Sequence, residues 1–230
     1  MRTPSAARML LVPTLLFTLL GRLEAQDSAR AAGHDHADHD VAVPGGSTIP
    51  AGWSVRSDRG ASTANVKLAP MGTGMHVTLG PAIILYRTSQ EGKGPFHTLA
   101  TFTQTKPVAH PEGYGLFYGG TGLDGASQKY TYFLVRQDGT YLVKQRNGEK
   151  TTEITKGWVA SPAVHKLDAR GSATNKLEID HKRDPSKFVF LVNGEAVYTL
   201  GGKASNADGA VGLRINHNLD LHIDGFDVHR

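Results

Sequence analysis

Between Ile49 and Arg230 the chain is a succession of short runs in which apolar and polar side chains alternate, separated by Gly, Asp, Asn and Pro. The sharpest is "KFVFLVNGEAVYTLGG", residues 187–202. Phe188, Phe190 and Val192 share one face there, Val189 and Leu191 the other, and Asn193-Gly194 tolerates the positive φ angles of a tight type I′ turn. This spacing predicts a β-hairpin that serves as scaffold. Ten further runs read as strands: "WSVRS", "MHVTL", "AIILYR", "FHTLATFTQT", "YGLFYGG", "YTYFLVRQ", "TYLVKQR", "NKLEID", "AVGLRIN" and "LDLHIDGFDVH". Asp138-Gly139 joins two of them and Asn147-Gly148 ends another. No stretch of helical period with caps interrupts the series, and 27 glycines argue against long helices. Many short strands with Asn-Gly and Asp-Gly turns predict an all-β fold, an antiparallel sandwich or barrel. Leu219, Leu221 and Ile223 alternate with Asp220, His222 and Asp224, so each sheet should have one buried and one wet face.

The first residues follow another pattern. Arg2 and Arg8 precede the apolar run Met9 to Leu20, "MLLVPTLLFTLL", which is broken by Pro13 and too short for the roughly 20 residues that cross a bilayer. Residues 1–25 read as a secretory signal peptide ending at Ala25, and no later segment is apolar enough to span, so the processed chain is expected to be secreted or periplasmic without membrane insertion. Residues 26–48, "QDSARAAGHDHADHDVAVPGGST", lack aromatic residues and sustained period and read as a flexible linker. The domain is then 49–230. The chain has no cysteine. That excludes disulfides, thiolate metal sites, a cysteine nucleophile and a lipid-modified N-terminal cysteine, so an exported fold must rest on its core. Removal of the signal leaves 205 residues, enough to bury roughly 70% of the extended-chain surface in one domain. The formal charge of +4 includes Arg2, Arg8 and Arg22 against Glu24 and falls to about +2 in the processed chain. Its basic residues are interspersed with acidic ones, which leaves no electrostatic footprint for nucleic acid.

The series "YGLFYGG", "YTYFLVRQDGTYLVKQRNG", "FVFLVNGEAVYTL" and "GAVGLRINHNLDLHIDGFDV" resembles the concanavalin A-like lectin/glucanase jelly-roll domains of secreted bacterial proteins. Among these it is similar to the laminin-G-like and 3-keto-disaccharide hydrolase-type members, in which a "VNG" hairpin and a G-x-V/I-G-L strand close the sandwich. The resemblance implies an antiparallel two-sheet jelly-roll sandwich and a secreted module that binds a glycan or cell-envelope polysaccharide without catalysis. The alternative it implies is a glycoside-processing hydrolase or lyase. Its motifs specify fold rather than activity.

Four stretches could carry chemistry. "HDHADHD" sets His34, His36 and His39 among Asp35, Asp38 and Asp40, donors suited to a borderline metal such as Zn, but nothing fixes their geometry and a solvated tail is the stronger reading. "EIDHKR", 178–183, resembles the E-x-D-x-x-E strand of laminarinase-like glucanases at Glu178 and Asp180, but Arg183 replaces the second Glu and the acid/base residue is lost. In "RINHNLDLHID", Asn218, Asp220, His222 and Asp224 are expected to alternate onto one face, where they could hydrogen-bond sugar hydroxyls or hold a cation such as Ca. In "HPEGYGLFYGGTG", His110, Glu112, Tyr114, Phe117 and Tyr118 lie among glycines, and aromatic rings stack on the apolar faces of sugars. Met71, Met75, His76, Trp53 and Trp158 have no spacing that enforces convergence. No nucleophile elbow, phosphate loop, H-E-x-x-H or EF-hand loop occurs. The signal-peptide assignment makes a direct prediction: intact-mass analysis of exported protein should give an N-terminus at Gln26, and full-length chain in the membrane fraction would refute it.

Overall fold

The computed structural model describes residues 39–44, 49–58, 60, 63–92, 94–201 and 207–230. The expected signal peptide, His34 and His36 lie outside the described residues. Within them the chain is all β and forms two antiparallel sheets packed as a sandwich. The strands are Ser54–Ser57 (β1), Val66–Met71 (β2), Gly74–Leu79 (β3), Ile83–Gly92 (β4), His97–Gln104 (β5), Gly113–Thr121 (β6), Lys129–Arg136 (β7) and Thr140–Asn147 (β8). They continue with Lys150–Glu153 (β9), Val159–Ala160 (β10), Ala173–Asp180 (β11), Lys187–Val192 (β12), Glu195–Gly201 (β13), Gly209–Ile215 (β14) and Asp220–His229 (β15). The first sheet runs β1-β4-β14-β6-β7-β8-β10, with β9 also paired to β8; the second runs β13-β12-β11-β5-β15-β3-β2.

All twelve sequence runs carry a strand. Three strands lay beyond the pattern. The first, β2, contains Pro70, which cannot donate to a ladder and is tolerated because β2 is an edge strand. The four residues of β9 are fully exposed and β10 has only two, so neither offers an apolar period.

Alternation places one face of every major strand between the sheets. Phe188, Phe190 and Val192 of β12 are fully buried there, as the hairpin pattern requires. Rings from opposite sheets meet: Tyr118 stacks on Phe188 at 4.4 Å between centroids, Phe133 meets Phe190 at 5.3 Å and Tyr114 meets Phe102 at 5.4 Å. Such pairs add about 0.5–1.5 kcal/mol each beyond their area burial. Gly212, in the "GAVGL" strand, has a steric role. A Cβ there would lie 2.3 Å from the Leu85 carbonyl oxygen and 2.6 Å from the Phe117 ring.

The packed chain begins earlier than residue 49. Val41 N donates to Asn218 Oδ1 at 2.9 Å, Val43 N donates to Asn65 Oδ1 at 3.3 Å, and the Val43 side chain is buried. Two isolated valines in a polar segment give no periodic signal, so the linker reading of 39–43 is corrected by tertiary contacts.

Asn193 and Gly194 have φ of 52° and 86°, the type I′ signature. Asn193 does more than turn the chain. Its Oδ1 accepts from Lys176 N at 2.8 Å, and its Nδ2 donates to Ala163 O at 2.8 Å and to Asn175 Oδ1 at 3.0 Å. Asn175 is buried, donates to Tyr114 Oη at 3.3 Å and accepts from His165 N at 2.8 Å, so the hairpin anchors the 161–165 loop. Gly194→Ala meets no atom within 4 Å and should cost only the left-handed backbone penalty, about 1–2 kcal/mol. Asn193→Gly keeps the turn but deletes three hydrogen bonds and should cost more, about 2–3 kcal/mol. Equilibrium denaturation of both variants checks the order; an Asn193→Gly loss equal to or below that of Gly194→Ala would reduce Asn193 to a turn residue.

Candidate functional site

The two outer faces differ in chemistry. On the second sheet, Asp220, His222 and Asp224 occupy alternate outward positions of β15, as expected, beside His76 and Thr78 of β3. Asp220 is nearly buried and fully engaged. It accepts from Lys106 Nζ at 2.9 Å, His76 Nε2 at 3.1 Å, Thr78 Oγ1 at 3.2 Å and the Thr105 hydroxyl. Burial pushes its pKa up, but the Thr105 and Lys106 hydrogen bonds and the His76 charge outweigh it and leave the carboxyl below its ordinary value. Burial lowers His76, against the pull of Asp220 and with the repulsion of His222, whose ring lies edge-on at 4.6 Å. Farther along the same face Glu178 binds His97 Nε2 at 2.9 Å and Lys176 Nζ at 3.0 Å. Asp180 accepts from the Lys182 and Arg183 backbone amides at 2.9 and 3.0 Å, which caps the turn after β11.

Other expected members of a binding face are elsewhere. Tyr114 and Tyr118 are corrected: both point between the sheets, where burial pushes the Tyr114 hydroxyl up to about 12. Their alternation with Phe117 allowed either face, and the inter-sheet ring pairs decided it. Asn218 is also corrected. It precedes β15, in a turn at φ 56°, and its side chain holds Val41 N and the His39 carbonyl. His110 and Glu112 lie in the loop between β5 and β6, His110 exposed and Glu112 half-buried. His39 is exposed, and its neighbour Asp40 pairs with His217 Nδ1 at 2.6 Å. Among the described residues no group of three or more His, Asp or Glu converges as a metal site.

The outer face of the first sheet carries what the sequence pattern missed. Ile84, Phe117, Tyr130, Tyr132 and Leu134 form a second buried apolar cluster, with Tyr86 and Trp158 packed against it. The available signal was β7, "KYTYFLVR", which is apolar at consecutive positions and thus buried on both faces. Set into this cluster is Arg214 of β14, only 5% exposed, with its guanidinium 5.8 Å above the Tyr132 ring. Both Arg214 Nη atoms bond to the two oxygens of Asp58, with Nη2 to Oδ2 at 2.7 Å, and Arg146 Nη2 reaches the same Oδ2 at 2.9 Å. Burial raises the Asp58 pKa, but the Arg214 charge and hydrogen bonds and the Arg146 charge overcome this and hold it below the ordinary carboxylate value. Tyr132 is pushed up to about 12, chiefly by burial.

Arg146 also lines a cavity of about 190 Å³, with Gly119, Lys129, Tyr130, Thr131, Gln145 and Asn147 as the other walls. The cavity adjoins an irregularity in the β6–β7 register between Tyr118 and Thr121, where Gly119 and Gly120 present no side chains. Tyr130 Oη and Arg146 Nε are buried, and neither makes a well-formed hydrogen bond among the described residues. Lys129, Thr131, Gln145 and Asn147 share one face of the β7–β8 pair, whereas Tyr130 and Arg146, paired with each other, point their side chains to the opposite face.

No family model and no curated protein matches the chain. Solved structures do. The fold is a galectin-like, concanavalin A-like jelly-roll sandwich. The carbohydrate-binding module CBM66 from Bacillus subtilis superposes with a TM-score of 0.57 at 12% identity, over 81% of this chain and 100% of that one. A Bacillus subtilis protein of unknown function with a galectin-like fold gives 0.52 at 14%, over 77% and 88%. The potassium-bound carbohydrate recognition domain of Emp46p gives 0.50 at 9%, over 77% and 88%.

Removal of Asp58 would strand Arg214 inside the cluster, so Asp58→Ala should lose about 3 kcal/mol in urea unfolding, whereas the double change Asp58→Leu with Arg214→Met should lose far less. The sign with pH follows from the lowered carboxyl. The Asp58 contribution is complete above the unfolded value of about 4 and disappears as pH falls through the folded one. Stability of Asp58→Asn should accordingly fall less than wild type on acidification; parallel acid limbs would refute this role.

Proposed function

We propose that the chain is an exported carbohydrate-binding module whose site is the polar pocket beside the β6 bulge. The observation that carries this reading is the pocket's composition. Lys129 donates, and Gln145, Asn147 and Thr131 both donate and accept; these four side chains share one face of the β7–β8 pair. Sugar hydroxyls need such mixed partners around a ring face. The cavity is smaller than the roughly 300–1,000 Å³ of sites that enclose drug-sized ligands, which suits one sugar unit or a chain end. Two of the similar solved structures are, by name, a carbohydrate-binding module and a carbohydrate recognition domain, in keeping with this reading. The run Met9 to Leu20 supports export, to the periplasm or beyond, where a glycan or cell-envelope polysaccharide is the partner.

A second reading, glycoside processing of the 3-keto-disaccharide hydrolase type, draws on the other sheet. His76, Asp220 and His222 lie together there, with the His76 and His222 rings 4.6 Å apart and His76 Nε2 3.1 Å from Asp220, an imidazole–carboxylate grouping of the kind used in general acid–base work. In that reading His110, Glu112 and Asp224 would serve the substrate.

A glycan array followed by calorimetry separates the two. Gln145 and Asn147 are exposed, so their alanine variants should change stability by no more than about 0.5 kcal/mol. Each should nevertheless weaken glycan binding, about tenfold for the pair, while Asp220→Ala leaves affinity unchanged. Affinity lost in Asp220→Ala or His222→Ala and kept in Gln145→Ala would move the site to the second sheet. Sugar release from ordinary or 3-keto glucosides that vanishes in His222→Ala would establish the enzyme.

A further inference from the structure

Away from both outer faces, at the rim where the sheets part, a cavity of about 120 Å³ opens between β4 of the first sheet, the segment that precedes β1, and β2, β3 and β15 of the second. Its walls are apolar: Trp53, Phe226, Pro50, Pro70 and Met75. Trp53 and Phe226 stand 5.5 Å apart at 42°, so the pocket has an aromatic corner. The one charged group in the lining is Arg87, and its guanidinium lies over the Trp53 ring at 4.5 Å.

Arg87 differs from the arginines Arg214, Arg146 and Arg136 in having no carboxylate partner among the described residues. Arg214 and Arg146 share Asp58, and Arg136 holds Asp138 at 2.7 Å. Arg87 pairs with no carboxylate among the described residues, and its Nε is buried without an acceptor. A buried N–H of a cation is the group most in need of an acceptor, and a charged one serves it best. Stacking on Trp53 covers the face of the guanidinium and leaves its in-plane donors for a partner. The rest of the lining offers little to a polyol, since Thr73 is its only hydroxyl. The volume approaches the ~150 Å³ of an apolar cavity that accommodates benzene.

We infer that this rim pocket binds a small monocarboxylate with an apolar body, an aryl or short aliphatic acid, whose carboxylate pairs with Arg87 and whose body packs in the Trp53–Phe226 corner. The site is independent of the sugar-binding reading, because it shares no residue with the pocket beside the β6 bulge.

The chain has two tryptophans. The other, Trp158, packs against the outer face of the first sheet, so full-length protein carrying Trp158→Phe reports on Trp53 alone. Titration with benzoate should change Trp53 emission saturably, with a dissociation constant of about 1 mM or below. Benzamide, the neutral isostere, should bind at least about tenfold more weakly, and Arg87→Gln should weaken benzoate by a similar factor with an unchanged circular dichroism spectrum. Arg87→Lys, which keeps the charge, should retain more affinity than Arg87→Gln. Calorimetry on the unaltered chain repeats the benzoate and benzamide comparison without any substitution. Equal affinity for benzoate and benzamide, undiminished binding to Arg87→Gln, or no saturable response overturns the site. Glucuronate bound as tightly as benzoate overturns the apolar-bodied assignment.

Discussion

The seam of aromatic rings between the sheets is the constraint on which the rest of this molecule depends. Without a cysteine, no disulfide holds one sheet to the other. The layers stay together because Tyr114, Tyr118 and Phe133 from the first sheet interlock with Phe102, Phe188 and Phe190 from the second. Apolar burial has no direction, but ring pairs at 4.4 to 5.4 Å fix the lateral position of the sheets, and with it the register of every outward side chain. The seam also takes the largest aromatic residues of β6 out of contact with any ligand. Recognition is left to the outer faces and to the rim.

The first sheet answers that demand in an unusual way for a two-layer sandwich, by burying much of its outer face as well. A guanidinium placed among Tyr130, Tyr132 and Phe117 would be prohibitive alone. Asp58 makes it tolerable, with both oxygens committed to Arg214 and one shared with Arg146. Replacement of such a pair by apolar residues is often harmless to stability, so its presence points to something other than stability. Here the pair also fixes Arg146, whose Nη2 shares Oδ2 of Asp58, and so ties β8 to β14 across the outer face.

The sequence disclosed the architecture to the extent that its strands had one apolar face. Phe188, Phe190 and Val192, or Leu221 and Ile223, fall every second position, and each such run became a strand. The Asn193-Gly194 turn was legible because only small or amide residues accept its φ angles. Where period failed, so did the reading. β2 was hidden by Pro70, β9 by its uniform polarity, and the 39–43 segment because Val41 and Val43 are fixed by Asn218 and Asn65, residues distant in sequence. The site was less legible still. Tyr114 and Tyr118 alternate identically whether they face a ligand or the opposite sheet, and nothing local distinguishes the two. Asp58, Arg146 and Arg214 lie 88 and 156 residues apart from one another at the ends of their bonds, so the cluster exists only after the sheet has formed. Asp220 and His222 were placed on the right face, yet their neighbours Lys106 and His76 come from other strands and loops and turn an apparently solvated row into an internally satisfied network.

That difference in satisfaction separates the surfaces. On the second sheet the less exposed acceptors already have their donors, four for Asp220 and His97 with Lys176 for Glu178, while Asp224 is exposed to water. A ligand there would have to displace interactions made in the free protein, and would gain only the difference. At the β6 bulge, Tyr130 Oη and Arg146 Nε are desolvated with incomplete hydrogen bonding, and at the rim Arg87 Nε is in the same condition. A ligand that completes those bonds replaces no protein partner and meets groups whose desolvation folding has already imposed. Incomplete satisfaction is necessary for that gain but does not by itself select a site, since Gln90 Oε1, Gln104 Oε1 and Tyr118 Oη are in the same condition and line neither pocket; it is the coincidence with an open cavity that distinguishes the two pockets from the polar row.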